Sequence, residues 1–360
     1  MKQQIEQLLL TAVNEFARRC ASLGLSAAAV TVERSRDPRH GDFSSNIALR
    51  LGQATERDPR ELAGEIVLAL AASPLVGRAE IAGRGFINIF ISPQGYTREL
   101  ANVLELANGY GRSSHGRSEK ISLESDPGAV DQTLDVAQAR RAAYYSTLAN
   151  LLEATGFEVS RTGVDGGQNV CPAVRVQRGQ RGAPLTGDLG QPITLGQLQA
   201  AVGEDACRFF LLHRNHRQPL DFDLQLAGLR GNANPVFHIQ YAHARVASLF
   251  KQLAARGLTY DALQGLANAG QLTTDPELAV FRCMSRYPES LQQTAEARAP
   301  HILAHYLGEL AHTLHAYHGA AEFIVADAKL RNARLALALG VSQVIRNGLT
   351  LLGVSSPESM

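Results

Sequence analysis

The sequence predicts a multidomain α+β protein: an α+β N-terminal domain, a reduced α/β segment, and an all-α helical bundle at the C-terminal end. Three observations predict it. Helix-like and strand-like periods alternate through the first part of the chain. A single strand–helix–strand pattern follows and then breaks off into a Gly- and Pro-rich stretch. From Leu195 onward the apolar spacing is helical nearly to the end. The predicted divisions are residues 1–110, 111–195 and 196–360. A chain of 360 residues, 45% hydrophobic and 19% charged, is long enough to bury more than one core.

Each element follows from local pattern. Ile5, Leu8, Leu9, Ala12, Val13, Phe16 and Cys20 recur at three- and four-residue steps, which gives a helix one apolar face. Ala29 to Val32 reads as a strand, and Asp37, Pro38 and Gly41 as a turn. Phe43 to Leu51 reads as a second helix. Pro59, preceded by Asp58, starts a third, because proline at a first helical position loses no hydrogen bond and aspartate caps free N–H groups. Ile81 to Ile91 reads as β structure centred on Phe86–Ile91. A helix over about 93–107 closes the domain. Ile121–Glu124, a helix over 139–155 and Phe157–Val159 form the strand–helix–strand unit. Helices are then predicted at 195–214, 223–256, 275–297, 299–325 and 328–352.

Composition excludes several functions. The formal net charge is +1, so the chain has no global basic field, and any nucleic acid must be held by local patches. Cys20, Cys171, Cys207 and Cys283 contain no CxxC pair and suit reduced thiols. No apolar run approaches membrane-spanning length, and Glu6 and Glu15 are unlike a secretory signal, so a cytoplasmic protein without membrane contact is expected. No metal or cofactor is expected. His301, His305, His312, His315 and His318 share one predicted helix, but without a converging carboxylate or cysteine they read as packing residues.

Three stretches resemble the arginyl-tRNA synthetase family. His40-Gly41-Asp42-Phe43-Ser44-Ser45-Asn46-Ile47-Ala48 and Gly85-Phe86-Ile87-Asn88 look like the family's N-terminal additional domain. Asp205-Ala206-Cys207-Arg208-Phe209-Phe210 resembles the Asp-Ala-Leu-Arg signature of its anticodon-binding domain. Leu220–Leu224 and the run Asn234 to Arg245 follow as they do in the family, and Leu349 to Met360 resembles its C-terminus.

The middle departs from that likeness. Leu134 to Val159 resembles the first unit of the family's Rossmann-like catalytic core, where the turn before the helix carries His-x-Gly-His. Here the positions are Asp135, Val136, Ala137 and Gln138. The rest of the core is missing between about Gln168 and Val174. The family's Lys-Met-Ser-Lys-Arg loop is matched by Pro184, Leu185, Thr186, Gly187 and Asp188, with no lysine. Amino-acid activation builds negative charge on the phosphates of ATP, and fixed donors and cations must stabilise it. Losing one such donor commonly costs about a hundredfold in rate. The chain therefore reads as a remnant with no catalytic residues. An active ligase and a protein-interaction module without RNA are the competing readings.

The likeness implies tRNA as partner, arginine tRNA first, with a tRNA-modifying enzyme or the authentic synthetase as a further partner. It also implies the contacts. Phe86 and Asn88 alternate on one strand and match an aromatic and an amide that contact the D-loop. Asn234, Gln240, Tyr241, His243 and Arg245 lie on or before a helix that faces the anticodon stem-loop. From residue type alone, Phe86 reads equally well as core, and Asn234 as a helix cap before Pro235. His213, Arg214, His216 and Arg217 form a basic turn that reads as a solvated loop. Arg175, Arg178 and Arg181 are spaced by three in the Gly-rich stretch, as phosphate contacts or as solubilising charges.

Overall fold

The structure is a computed structural model that describes residues 1–19, 30–124, 132–162, 171–179, 185 and 192–360. The chain begins α1 (Lys2–Arg19), β1 (Val32–Arg34), β2 (Phe43–Ser45), α2 (Ile47–Thr55), α3 (Pro59–Ala71), β3 (Val76–Ala82), β4 (Phe86–Ile91), α4 (Pro93–Leu106). It continues β5 (Lys120–Glu124), α5 (Val136–Ala154), β6 (Glu158–Thr162), β7 (Val174–Gln177), α6 (Leu195–Val202), α7 (Glu204–Leu212), β8 (Leu220–Asp223), α8 (Leu224–Gly228). The last helices are α9 (Pro235–Ala255), α10 (Ala262–Asn268), α11 (Asp275–Met284), α12 (Tyr287–Glu296), α13 (Pro300–Ala320) and α14 (Ala328–Leu352). Contacts group these into two compact units. One holds Met1–Asn102, Ala262–Ser285 and Asp327–Ala336; the other holds Val103–Asp261, Arg286–Ala326 and Leu337–Met360. The units interleave along the chain, whereas the sequence reading divides it consecutively.

The first unit is built on an antiparallel sheet in the order β1-β2-β4-β3. Phe43 to Ser45, expected to open a helix, instead pair with β1 and β4. Gly41 is the reason. At φ +84° it lays its backbone against Ile89, where a Cβ would stand 2.7 Å from the carbonyl oxygen, and the chain enters the sheet beside β4. The expected strand over Ile81–Ile91 is a hairpin, with Gly83-Arg84-Gly85 turning β3 back along β4 and Ile81 paired with Ile87. Ile87, Ile89 and Ile91 point into the core. Asp58 caps α3 as expected, accepting from the Arg60 amide at 3.1 Å. Cys20 and Ala29 lie outside the described residues.

Asp42 gives the His-Gly-Asp-Phe stretch a structural purpose. Its buried carboxylate accepts from the Ile91 amide at 2.7 Å, the Tyr96 hydroxyl at 2.5 Å and Arg282 Nε at 2.7 Å. Three elements of the unit, β4, α4 and α11, thus close on one charge. Burial, and then the Asp42 charge, push the Tyr96 phenol up, so it stays a donor.

In the second unit β5, α5 and β6 form the expected strand–helix–strand, with β5 and β6 parallel. A second parallel pair, β7 with β8, joins Val174 to Leu220 and was not foreseen in the Gly-rich stretch. Among the described residues no longer parallel sheet is present. The helix expected over 195–214 breaks at Gly203, whose φ of +86° lies in the left-handed region, and yields α6 and α7. The one expected over 223–256 divides into α8 and α9, because Asn234-Pro235 starts a helix afresh. The one over 275–297 divides into α11 and α12. α14 is long and apolar enough to cross a membrane, contrary to the sequence reading, yet 72% of its most apolar window is buried inside the protein, as in a core helix.

The Asp-Ala-Cys-Arg signature on α7 clamps the C-terminal tail. Asp205 accepts from the Ser355 amide at 2.9 Å, from the Ser355 hydroxyl, and from Gln240 Nε2 at 2.7 Å. Arg208 donates to the Leu352 carbonyl at 2.6 Å and to Ser146 and Thr147 on α5 at 2.9 and 3.2 Å. Asp205→Ala is expected to lower stability by about 1–3 kcal/mol, since it removes the acceptor shared by the Ser355 amide and Gln240 Nε2. A urea unfolding midpoint unchanged within error would refute that role.

Candidate nucleic-acid interface

The outer face of the sheet carries a small set of uncovered side chains. β4 is an inner strand, and its alternation sends Phe86, Asn88 and Phe90 to the side opposite the three isoleucines. Phe86 is 46% exposed, which settles its place: it is a surface aromatic and not core. Asn88 lies between Ser44 on β2 and Glu80 on β3, and its amide makes no hydrogen bond among the described residues. Arg78 covers Phe90 at 3.9 Å from the ring centroid. An exposed ring two residues from a free amide can stack on an unpaired base and hydrogen-bond its edge.

α9 separates its candidate residues into two groups. Phe237, Tyr241 and Arg245 recur every four residues and face outward. Phe237 stacks on Tyr241 at 6.0 Å, and Tyr241 stacks on His315 of α13 at 5.6 Å. Arg245 lies over the Tyr241 ring at 5.7 Å and donates to His315 Nδ1 at 3.3 Å, while His315 Nε2 donates to the His238 carbonyl at 3.2 Å. Burial chiefly, with Arg245 adding to it, lowers the His315 pKa, in keeping with a neutral ring that accepts at one nitrogen and donates at the other. The result is an aromatic ledge with a cation at one end.

Asn234, Gln240 and His243 are turned inward, and this corrects the face expected from sequence. Asn234 is 3% exposed; it caps α9 at the Val236 amide (3.2 Å) and donates to the Ala227 and Leu229 carbonyls at 2.9 Å. Gln240 donates to Asp205 and to the Ser355 carbonyl. His243, 1% exposed, bonds the Pro357 carbonyl at 3.0 Å and Arg346 at 3.3 Å. Asn234 is spent on capping α9, and Gln240 and His243 hold the tail, so these side chains are engaged inside the protein. Phe237 and His315 join the ledge instead. The four-residue step from Phe237 was visible in the sequence; the reach of His315 across from α13 was not.

At the expected signature positions, α5 is capped by its own side chains. Asp135 Oδ1 accepts from the Gln138 amide at 2.8 Å, and Gln138 Oε1 accepts from the Asp135 amide at 3.1 Å. Val136 is buried and Ala137 half-buried. Thr194 and Gln197 cap α6 in the same reciprocal way, and an Asp135–Thr194 bridge holds the two starts side by side. A carboxylate therefore sits where a helix N-terminus would otherwise attract a phosphate. Leu185 is 39% exposed, with its amide on the Val176 carbonyl at 2.7 Å. Pro184, Thr186, Gly187 and Asp188 lie outside the described residues. So does Arg181, while Arg175 is engaged with Asp221 at 2.8 Å. No three or more His, Cys, Asp or Glu among the described residues are grouped to hold a metal.

Comparison with known proteins bears on both surfaces. Residues 3–91 match the arginyl tRNA synthetase N terminal domain, and residues 239–360 match the DALR anticodon binding domain. The chain belongs to the arginyl-tRNA synthetase family. An arginine–tRNA ligase of Coxiella burnetii is 26% identical over an alignment that covers 100% of this chain and 99% of the relative. That alignment runs over 586 positions, so a chain of 360 residues leaves a large part of the relative without counterpart. An arginine–tRNA ligase of Hydrogenovibrio crunogenus is 48% identical over 171 residues, covering 48% of this chain and 29% of that one. The Thermus thermophilus arginyl-tRNA synthetase shares the fold, with a TM-score of 0.68 at 14% identity over 100% of both chains. The family's DALR match begins downstream of the Asp205 signature, and its N-terminal match ends with β4.

Proposed function

We propose that this protein is a catalytically silent member of the family that binds tRNA, arginine tRNA first, in the cytoplasm. It acts as an accessory factor that presents tRNA to a modifying enzyme or to the authentic synthetase. The observation that carries the reading is the contrast between the ends and the middle. The Phe86–Asn88 face and the Tyr241–Arg245 ledge leave rings, an amide and a cation at the surface of the two matched domains. The turn at Asp135–Gln138, by contrast, spends its side chains on capping α5. The relatives are named as ligases, and silence in this chain rests on the residues at those positions and on the length missing from the alignment.

With a net charge of only +1, affinity must come from local contacts and from loop bases. Arg245→Ala is expected to weaken all tRNAs alike and to flatten the salt dependence by about one contact. Asn88→Ala is expected to reduce discrimination between tRNAs that differ in the D-loop, at a cost of about 1–3 kcal/mol. Tyr241, half-covered by Phe237 and His315, should hold its place in both variants. The check is tRNA affinity across a salt series, with melting temperatures alongside. Wild-type protein that fails to bind tRNA at low salt would turn the reading toward a protein-interaction module.

A further inference from the structure

The basic turn between α7 and β8 is not a loose solvated loop. Arg140, 1% exposed on the first turns of α5, reaches under it and donates to the carbonyls of Leu211 (3.3 Å), Asn215 (3.0 Å) and Gln218 (2.8 Å). Tyr144, one turn further along α5, stacks on His216 at 4.2 Å and donates its hydroxyl to the Arg298 carbonyl at 3.0 Å. That bond brings the turn to the start of α13. Ala299 caps this 21-residue helix and offers no side-chain acceptor; Pro300 has no N–H, and the Ile302 N–H already bonds the Ala299 carbonyl at 3.0 Å.

Basic groups gather at this point, and the nearby Glu296 is paired with His115 at 2.9 Å. Arg214, Arg217 and Arg298 are exposed and make no ion pair among the described residues. No Asp or Glu occurs between Asp135 and Glu153, between Asp205 and Asp221, or between Glu296 and Glu309. His216 is 7% exposed, yet its Nδ1 has no hydrogen-bond partner, and neither has that of His301 in the first turn of α13. Burial first, and then the charge of Arg217 and His301, push His216 down to about 4. A cation-forming ring is thus held neutral among cations, with an idle nitrogen, where an anion would let it donate.

We propose that this patch is a phosphate site that seats a backbone phosphate of RNA, with Arg214, Arg217 and Arg298 around it and the His216 ring and the α13 N-terminus behind it. A phosphate diester suits the geometry, since forked guanidinium groups grip its oxygens and the unpartnered Nδ1 atoms of His216 and His301 are free to donate to it. This inference deepens the tRNA-binding reading by adding a contact apart from the Phe86–Asn88 face and the Tyr241–Arg245 ledge. It also gives the acid-free segments of α5, the turn and α13 one shared reason.

The test is the double variant Arg214→Gln/Arg217→Gln, with Arg214→Lys/Arg217→Lys as the charge-preserving control. Both side chains are exposed, so melting temperatures should match wild type. The glutamine variant is expected to bind tRNA at least tenfold more weakly at moderate salt, with a log–log salt slope shallower by about two contacts, and the lysine variant to keep most of both. Unchanged affinity and slope in the glutamine variant would overturn the proposal while leaving tRNA binding intact. Separately, inorganic phosphate is titrated into wild type while the imidazole NMR signals of His216 and His301 are followed. Movement in wild type but not in the glutamine variant supports the site even where tRNA itself is not bound. Signals that stay still, or that move while tRNA affinity ignores the substitutions, overturn it.

Discussion

Purified protein is expected to show no arginine-dependent exchange of pyrophosphate into ATP, with or without tRNA. The expected loss is the largest made for this chain. A fixed donor to a transition-state oxyanion is worth about 2.7–4 kcal/mol, and each such donor removed costs about a hundred- to a thousandfold. By family likeness two histidines are replaced at Asp135 and Gln138, and no lysine stands at Pro184–Asp188. Three losses of that size compound to about a millionfold or more if they act independently. Asp135 makes matters worse, because its carboxylate occupies the start of α5 and opposes a triphosphate there. The measurement is incorporation of labelled pyrophosphate into ATP at high enzyme concentration. Signal above a no-enzyme blank that survives repurification would show that the chemistry persists. The triple change Asp135→His/Ala137→Gly/Gln138→His separates two causes. It should stay silent if the missing length matters as much as the signature.

The largest expected effect on stability belongs to Arg140→Ala. Its guanidinium is buried and has no ion-pair partner among the described residues; burial lowers its pKa, and three backbone carbonyls are what hold it. Truncation removes all three bonds, leaves carbonyl oxygens of the 211–218 turn short of donors, and opens a cavity beside α5. Each unsatisfied carbonyl costs about 1–3 kcal/mol, tempered by water entering from the exposed side, so a total of about 3–5 kcal/mol is expected. Arg140→Met keeps the apolar stem and should recover only the packing part. Arg140→Lys keeps the charge but cannot reach three carbonyls at once, and should fall between them. Chemical unfolding of the three variants gives the order directly. An alanine variant as stable as wild type would mean that the turn holds itself.

Much of the architecture was legible because it is written locally. Asp58-Pro59 starts α3 by capping chemistry that needs only neighbours. The spacing of apolar residues over 299–325 and 328–352 located α13 and α14, because a helix repeats its buried face every three or four residues. Even the cap at Asp135–Gln138 follows from a three-residue spacing.

What spacing does not record is which partner lies across a gap in sequence. The Val174–Leu220 pairing joins strands far apart in the chain, and no four-residue strand announces its mate. Phe86 could as well have been core. Only the packing of α2 and α3 against β4 fixes which side of that strand is wet. Asn234, Gln240 and His243 have polar groups that suit RNA or backbone equally. The tertiary structure decided for backbone and tail, since a buried amide or imidazole must find its partners inside. Arg140 is the plainest case. By residue type it is a surface cation, and only the fold brings Leu211, Asn215 and Gln218 around it.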